Sequence, residues 1–96
     1  MQAVIRTYSG KGAKELFDVL EKRRGEVAGW MGKVKGLVGY TLARTADGGF
    51  SVTVCEDTAG IDESVQKARE WIAKNAPSTG ASAPHVSIGT VIANLP

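Results

Sequence analysis

The sequence has a single cysteine, Cys55, and a single histidine, His85. One thiol cannot close an internal disulfide, and no CxxC pair is present to hold a metal. A lone imidazole without spaced thiolate or carboxylate partners makes a poor metal site. No metal and no cofactor is therefore expected. Aromatic residues are sparse, with two Trp, two Tyr and two Phe in 96 residues. Long apolar runs are missing: no segment approaches the roughly 18 residues of a membrane span. The opening "MQAVIRTYSG" lacks the basic start and long apolar stretch of a secretory signal. The reducing cytoplasm is the expected location, with no membrane partner. A strong excess of one charge is also lacking. The net charge is +2, which gives a polyanion little to recognise. Residues 1–48 carry +4 and residues 49–96 carry −2. Lys22, Arg23, Arg24, Lys33 and Lys35 supply much of the basic excess and read as a solvated helix face.

What is present suits a folded domain. Hydrophobic residues make up 43% and charged residues 23%, ordinary values for a globular chain and too apolar for a disordered one. The length predicts one domain, 1–96, burying roughly 65% of the surface its unfolded form exposes.

"AVIRTY" (Ala3 to Tyr8) is a short β-prone run closed by Ser9-Gly10 and Gly12, which predicts a first strand. In the segment that follows, Ala13, Leu16, Phe17, Leu20, Val27, Met31 and Val34 recur at helical spacing. Gly25, Gly29 and Gly32 weaken its second half, and a break is expected near Gly25. After Gly36, Val38, Tyr40 and Leu42 alternate with Gly39, Thr41 and Ala43 as a second strand. "ADGG" is a turn whose Asp-Gly supplies the positive backbone angles of a tight hairpin. A third strand follows, with Phe50, Val52 and Val54 on one face and Ser51, Thr53 and Cys55 on the other. "IDESVQKAREWIAKNAP" predicts a second helix with a stripe of Ile61, Val65, Ala68, Ile72 and Ala76. Asp62 and Glu63 are expected in its first turn, where the helix dipole favours them, and Pro77 forbids continuation. After a loop, "HVSIGTVIANL" is a final strand with Val86, Ile88, Thr90 and Ile92 on one face.

The order β-α-β-β-α-β is the ferredoxin-like plan of an α+β protein. It predicts a four-stranded antiparallel sheet with two helices on one face. The other face keeps apolar residues from at least two strands, and an open apolar face of that size marks an interface.

The stretch "VKGLVGYTLARTADGGFSVTVCEDTAGIDES" resembles the middle of the antibiotic-biosynthesis monooxygenase domains, members of the dimeric α+β barrel superfamily. Gly36-Leu37 and Tyr40 match the family's Gly-aliphatic start and strand Tyr. Val54-Cys55-Glu56 matches its strand ending in Trp-Glu, with Cys55 in place of the Trp; Lys35 stands where Pro is common. At the level of element order the resemblance covers the whole chain. It implies a homodimer in which two sheets pair face to face. The activities it implies range from cofactor-free oxidation of phenols through haem degradation and isomerisation to none. Haem-degrading relatives use an Asn on the first strand, a Trp on the second helix and a His soon after it. Here the first strand offers Arg6, Thr7 and Tyr8. Trp71 is in place, but His85 lies fourteen residues beyond it. Arg6, Tyr8, Tyr40 and Trp71 are the ligand-pocket residues this resemblance singles out.

Read one by one, these residues have plainer roles to set beside that one. Arg6 interrupts an apolar strand, and a charge there is usually paired or faces a cavity. Trp30 and Trp71 adjoin apolar stripe positions and pack or line a pocket. Cys55 is nucleophilic only as a thiolate, which its neighbours Glu56 and Asp57 disfavour; a strand end, with Asp57 or Thr58 turning the chain into a helix, is the simpler reading. Adjacent Glu56 and Asp57 point to opposite faces, which argues against a shared acid–base role. His85 is a surface residue or a general base in a pocket.

The function expected is therefore a small dimeric barrel that binds a hydrophobic or aromatic molecule without a catalytic set. A cofactor-independent monooxygenase or isomerase is the alternative. An RNA-recognition module shares the element order, but "GGFSVTV" lacks the later aromatics of that motif, and Tyr8 alone offers stacking on the first strand. No nucleic-acid partner is expected.

Overall fold

The computed structural model describes residues 1–95. Four strands form one antiparallel sheet: β1 (Gln2–Tyr8), β2 (Leu37–Thr45), β3 (Gly48–Cys55) and β4 (His85–Thr90). Their order is β2-β3-β1-β4, so the chain's first and third strands lie at the centre. Helices α1 (Ala13–Lys22), α2 (Arg24–Met31) and α3 (Thr58–Asn75) complete a ferredoxin-like α+β fold.

Three helices stand where two were expected. The first helical segment breaks at Arg23, whose backbone (φ −112°, ψ 29°) leaves the helical region. The break falls two residues before Gly25, the position that composition suggested. α2 stops at Met31, and Val34 is still buried, held by a turn in which its N–H donates to Met31 O at 3.1 Å. Gly29 and Gly32 give this stretch little helical preference of its own, so packing decides where it ends.

Two strands differ in detail from the alternation in the sequence. β2 carries an irregularity at Val38: Leu37 pairs with Cys55 and Gly39 with Val54. Val38 is thereby left exposed, while Tyr40 and Leu42 turn to the helices. A bulge inserts one residue and shifts the face of everything before it. β4 ends at Thr90, and Ile92 stands outside it, fully exposed. The hairpin between β2 and β3 also departs from expectation. Ala46 and Asp47 keep negative φ, and the positive angle sits at Gly48. A Cβ on Gly48 would collide with the Tyr8 carbonyl oxygen and come within 2.8 Å of Ala13 Cβ.

Asp57 caps α3 through its carboxylate, which accepts from Gly60 N–H at 3.0 Å. The helix therefore begins at Thr58, and Asp62 and Glu63 fall beyond its first turn. Its buried residues are Gly60, Ile61, Ser64, Ala68 and Trp71, with Val65 and Ile72 half-buried. The helices dock through Leu16, Phe17, Leu20, Val27, Met31 and Ile61, all buried. Each such side chain contributes about 1.5–3 kcal/mol on burial.

The centre of the sheet is inverted relative to its hydrophobicity. On the helix side, β1 presents Val4, Arg6 and Tyr8, and β3 presents Ser51, Thr53 and Cys55, all buried. The open face receives Ile5 (43% exposed) together with the half-buried Phe50, Val52 and Val54. The more polar residues of the two central strands thus lie inside, and the more apolar ones outside.

Candidate functional site

Arg6 is brought under the helices by β1, in register with Ser51 of β3. Its side chain is only 4% exposed. Nε and Nη2 donate to Ser51 Oγ at 3.2 and 3.0 Å. Nη1 has no hydrogen-bond partner among the described residues. A buried guanidinium that leaves donors unfilled is costly unless something pairs with it.

Around Arg6 lies a small cavity of about 20 Å³ between sheet and helices, room for about one water. The four residues singled out above, Arg6, Tyr8, Tyr40 and Trp71, all line it. Two larger spaces adjoin it. A cleft of about 300 Å³ between α1–α2 and β2 shares Leu20, Val27, Tyr40 and Leu42 with it. A groove of about 620 Å³ between α2 and α3 shares Trp30 and Trp71. The shared side chains form the partitions between them. Cleft and groove are each of the size of small-molecule sites.

The tryptophans are braced from outside. Trp30 Nε1 donates to Lys67 O at 2.8 Å, and the ammonium groups of Lys67 and Lys33 lie 4.2 and 5.6 Å from its ring centroid. Arg23 lies 5.2 Å from the ring of Trp71. These cation–π contacts hold the ring planes at the cavity wall.

Burial pushes the Tyr8 phenol above its usual range, against the opposing pull of Arg6 and Arg69. Burial does the same to Tyr40; the Arg6 charge opposes it, Tyr8 adds to it, and the approach of the Arg6 guanidinium to the phenol oxygen opposes it. Both phenols are therefore protonated at neutral pH and are not bases.

Cys55 and His85 lie elsewhere. The Cys55 thiol is buried against Gly60, and burial, then Asp57 and Glu63, push its pKa up. A protonated, enclosed thiol is not a nucleophile. His85 is exposed and pairs with Thr7, on the sheet face opposite Arg6. No cluster of three or more metal-ligating side chains occurs among the described residues.

Two residues at the site were not singled out from sequence. Ser51 reads as an ordinary strand residue until the β1–β3 register sets it beside Arg6. Trp30, read from sequence as packing or pocket lining, lines the cavity, and Arg69 is exposed on α3. Arg69 in fact borders a second cavity next to Arg6.

No protein-family model matches the sequence, and no curated protein matches it. Solved structures do share its fold. A protein of unknown function from Nitrosomonas europaea superposes with a TM-score of 0.70 at 17% identity, over 99% of this chain and 92% of that one. The haem degrader MhuD from Mycobacterium tuberculosis, with two haems bound in its active site, gives 0.68 at 19%, over 100% of both chains. SnoaB, a cofactor-independent oxygenase from Streptomyces nogalater, gives 0.61 at 18%, over 99% and 95%. At these identities the likeness establishes the fold.

Proposed function

We propose that the protein is a homodimer of paired sheets that binds a small hydrophobic or aromatic molecule between its sheet and its helices. The observation that carries this reading is the convergence of Arg6, Tyr8, Tyr40 and Trp71, with Ser51, on one otherwise apolar cavity whose Tyr40 and Leu42 also wall the cleft of about 300 Å³. An aromatic-lined space with a few convergent donors is the usual makeup of a small-molecule site. The residues at the cavity supply donors and ring faces but no base. Both phenols are protonated, the thiol is enclosed, and the imidazole is on the other face. That set favours binding.

The dimer follows from the open face. Ile5, Phe50, Val52 and Val54 lie there, flanked by Thr7 and Thr41, and the strand positions on that side carry no Lys, Arg, Asp or Glu. An uncharged apolar surface is complementary to a second copy of itself about a two-fold axis. It does not suit nucleic acid: Phe50 and the edge residue His85 are its aromatic rings, and it offers phosphates no Lys or Arg. A free thiol accords with a reducing compartment.

Native mass spectrometry together with tryptophan-fluorescence titration of 1-naphthol tests both parts. A dimer whose emission saturates with naphthol is expected. A monomer removes the paired-sheet reading, and an unchanged emission removes the cleft. A second reading, cofactor-free oxidation of a phenol, draws support from the fold shared with SnoaB and from a buried cation able to hold a phenolate beside dioxygen. Oxygen uptake with a dihydroxynaphthalene, dependent on Arg6, is its test; uptake equal to that of buffer excludes it.

A further inference from the structure

Arg6 borders a second cavity, of about 90 Å³, on the side of α3 and β4. Tyr8, Val65, Pro84, Val86 and Arg69 line it together with Arg6. Neither this chamber nor the aromatic cavity counts an Asp or Glu among its lining residues. The guanidinium is thus buried with no acid facing it from either side. Ser51 takes Nε and one hydrogen of Nη2, and Nη1 is unpartnered. What remains is the end-on fork, one N–H from each Nη, the arrangement that grips two oxygens of a carboxylate or phosphate. Arg69, exposed on α3, adds a second positive charge, and both arginines act on Tyr8.

We propose that this chamber is a binding site for a small oxyanion, held by Arg6 from within and Arg69 at the mouth, with the Tyr8 hydroxyl as a further donor. The donors of the chamber suit a carboxylate or a tetrahedral oxyanion. Because Arg6 and Tyr8 also line the aromatic cavity, the anion is either a free ion or the acid group of the molecule in the cleft. The site stands on the unpaired guanidinium, whether or not the cleft binds an aromatic.

The test is calorimetric titration of the full chain with acetate, inorganic phosphate, 1-naphthoate and 1-naphthol at constant ionic strength in chloride. Saturable binding of acetate or phosphate is expected. Arg69→Ala, a change at an exposed position, should weaken it roughly tenfold, the loss of one charge-assisted hydrogen bond. Arg6→Met should abolish it, and Lys11→Ala, which removes equal charge from an exposed loop, should leave it unchanged. Acetate and phosphate that bind no better than chloride overturn the proposal. So does binding that survives Arg69→Ala and Arg6→Met, or that falls equally with Lys11→Ala. Naphthoate binding much tighter than both acetate and naphthol identifies the anion as the head of the cleft ligand; acetate and naphthoate binding alike identify a free ion. Naphthol binding without any oxyanion binding leaves the cleft standing and removes this site; the reverse result does the opposite.

Discussion

Replacing Arg6 by methionine should leave the protein's stability nearly unchanged while removing its anion binding. The guanidinium is 4% exposed and faces no acid in either adjoining cavity. Exchanging a buried ion for an apolar side chain of similar length typically changes stability by 0 to about +4 kcal/mol. Arg6→Met also takes both donors from Ser51 Oγ. An unsatisfied buried hydroxyl costs about 1–3 kcal/mol. The two mid-range effects, about +2 and about −2 kcal/mol, cancel, so the single variant is expected to keep the native stability to within about 1 kcal/mol. For a domain of this size that bounds the shift in Tm to about 4–8 °C. Arg6→Met with Ser51→Ala should gain about 2 kcal/mol, because no hydroxyl is then stranded. The assay is urea unfolding followed by circular dichroism. Protomer concentration must be fixed and oxyanions left out, since a bound ligand or partner stabilises the native state by mass action. An unchanged m-value licenses the comparison. A loss of more than about 2 kcal/mol in the single variant would refute the reasoning. It would mean that Arg6 is satisfied within the fold and is not held in reserve for a ligand.

Three further outcomes are expected. Gly49→Ala should cost about 1–3 kcal/mol or more, read by thermal unfolding, since the new Cβ would collide with the Phe17 ring and lie 2.5 Å from Ala43 O; an unchanged Tm would mean the β3–α1 contact is loose. Tyr8 and Tyr40 have folded pKa values raised above the usual 10.0. The native state thus keeps protons that the unfolded chain loses, and their contribution to stability is complete below pH 10 and is lost as pH rises beyond it. Ultraviolet titration of the phenolate band should accordingly show no tyrosine ionising at the ordinary pH until unfolding begins. Val52→Glu, on the open face of a central strand, should leave a folded monomer in sedimentation velocity, because two facing carboxylates would be buried at the two-fold contact; a persistent dimer would place the interface elsewhere.

Most of the architecture was legible because it rests on local periodicity. A β-prone run identified β1, alternation identified β2 and β3, and the Ile61–Ala68 spacing identified α3, with its start left between Asp57 and Thr58. What was not legible depends on contacts distant in sequence. The break at Arg23 is a backbone choice made by packing, since Gly25 and Gly29 impose no geometry. The bulge at Val38 answers to the β3 register, and β4 is placed by its pairing with β1, from Thr7↔His85 to Gln2↔Thr90. Of the site, Arg6 drew notice as a charge inside an apolar strand. Ser51 and Arg69 could not, since nothing near them in the chain reports that β3 and α3 flank Arg6.

Alternation also says that a strand has two faces without saying which one turns inward. Hydrophobicity alone would bury Ile5, Val52 and Val54 and leave Arg6 and Ser51 to water. A one-residue slip of both central strands would achieve that, since each slip exchanges the faces. The hairpin end forbids it. Gly48 and Gly49 lie where Tyr8 O and the Phe17 ring leave no room for a side chain. The register Tyr8↔Gly49 therefore holds, and it carries Arg6↔Ser51 inward with it. The fold retains a register that hides its polar residues and shows its apolar ones. A chain acting alone gains nothing from that arrangement. It becomes favourable when a second copy covers Ile5 and Val52 on one face and an anion satisfies Arg6 on the other. Under the two proposals made above, these unrelated penalties, one on each side of the same two strands, would be relieved by two different partners, and each is tested separately by mutation: Val52→Glu on the outside, Arg6→Met on the inside.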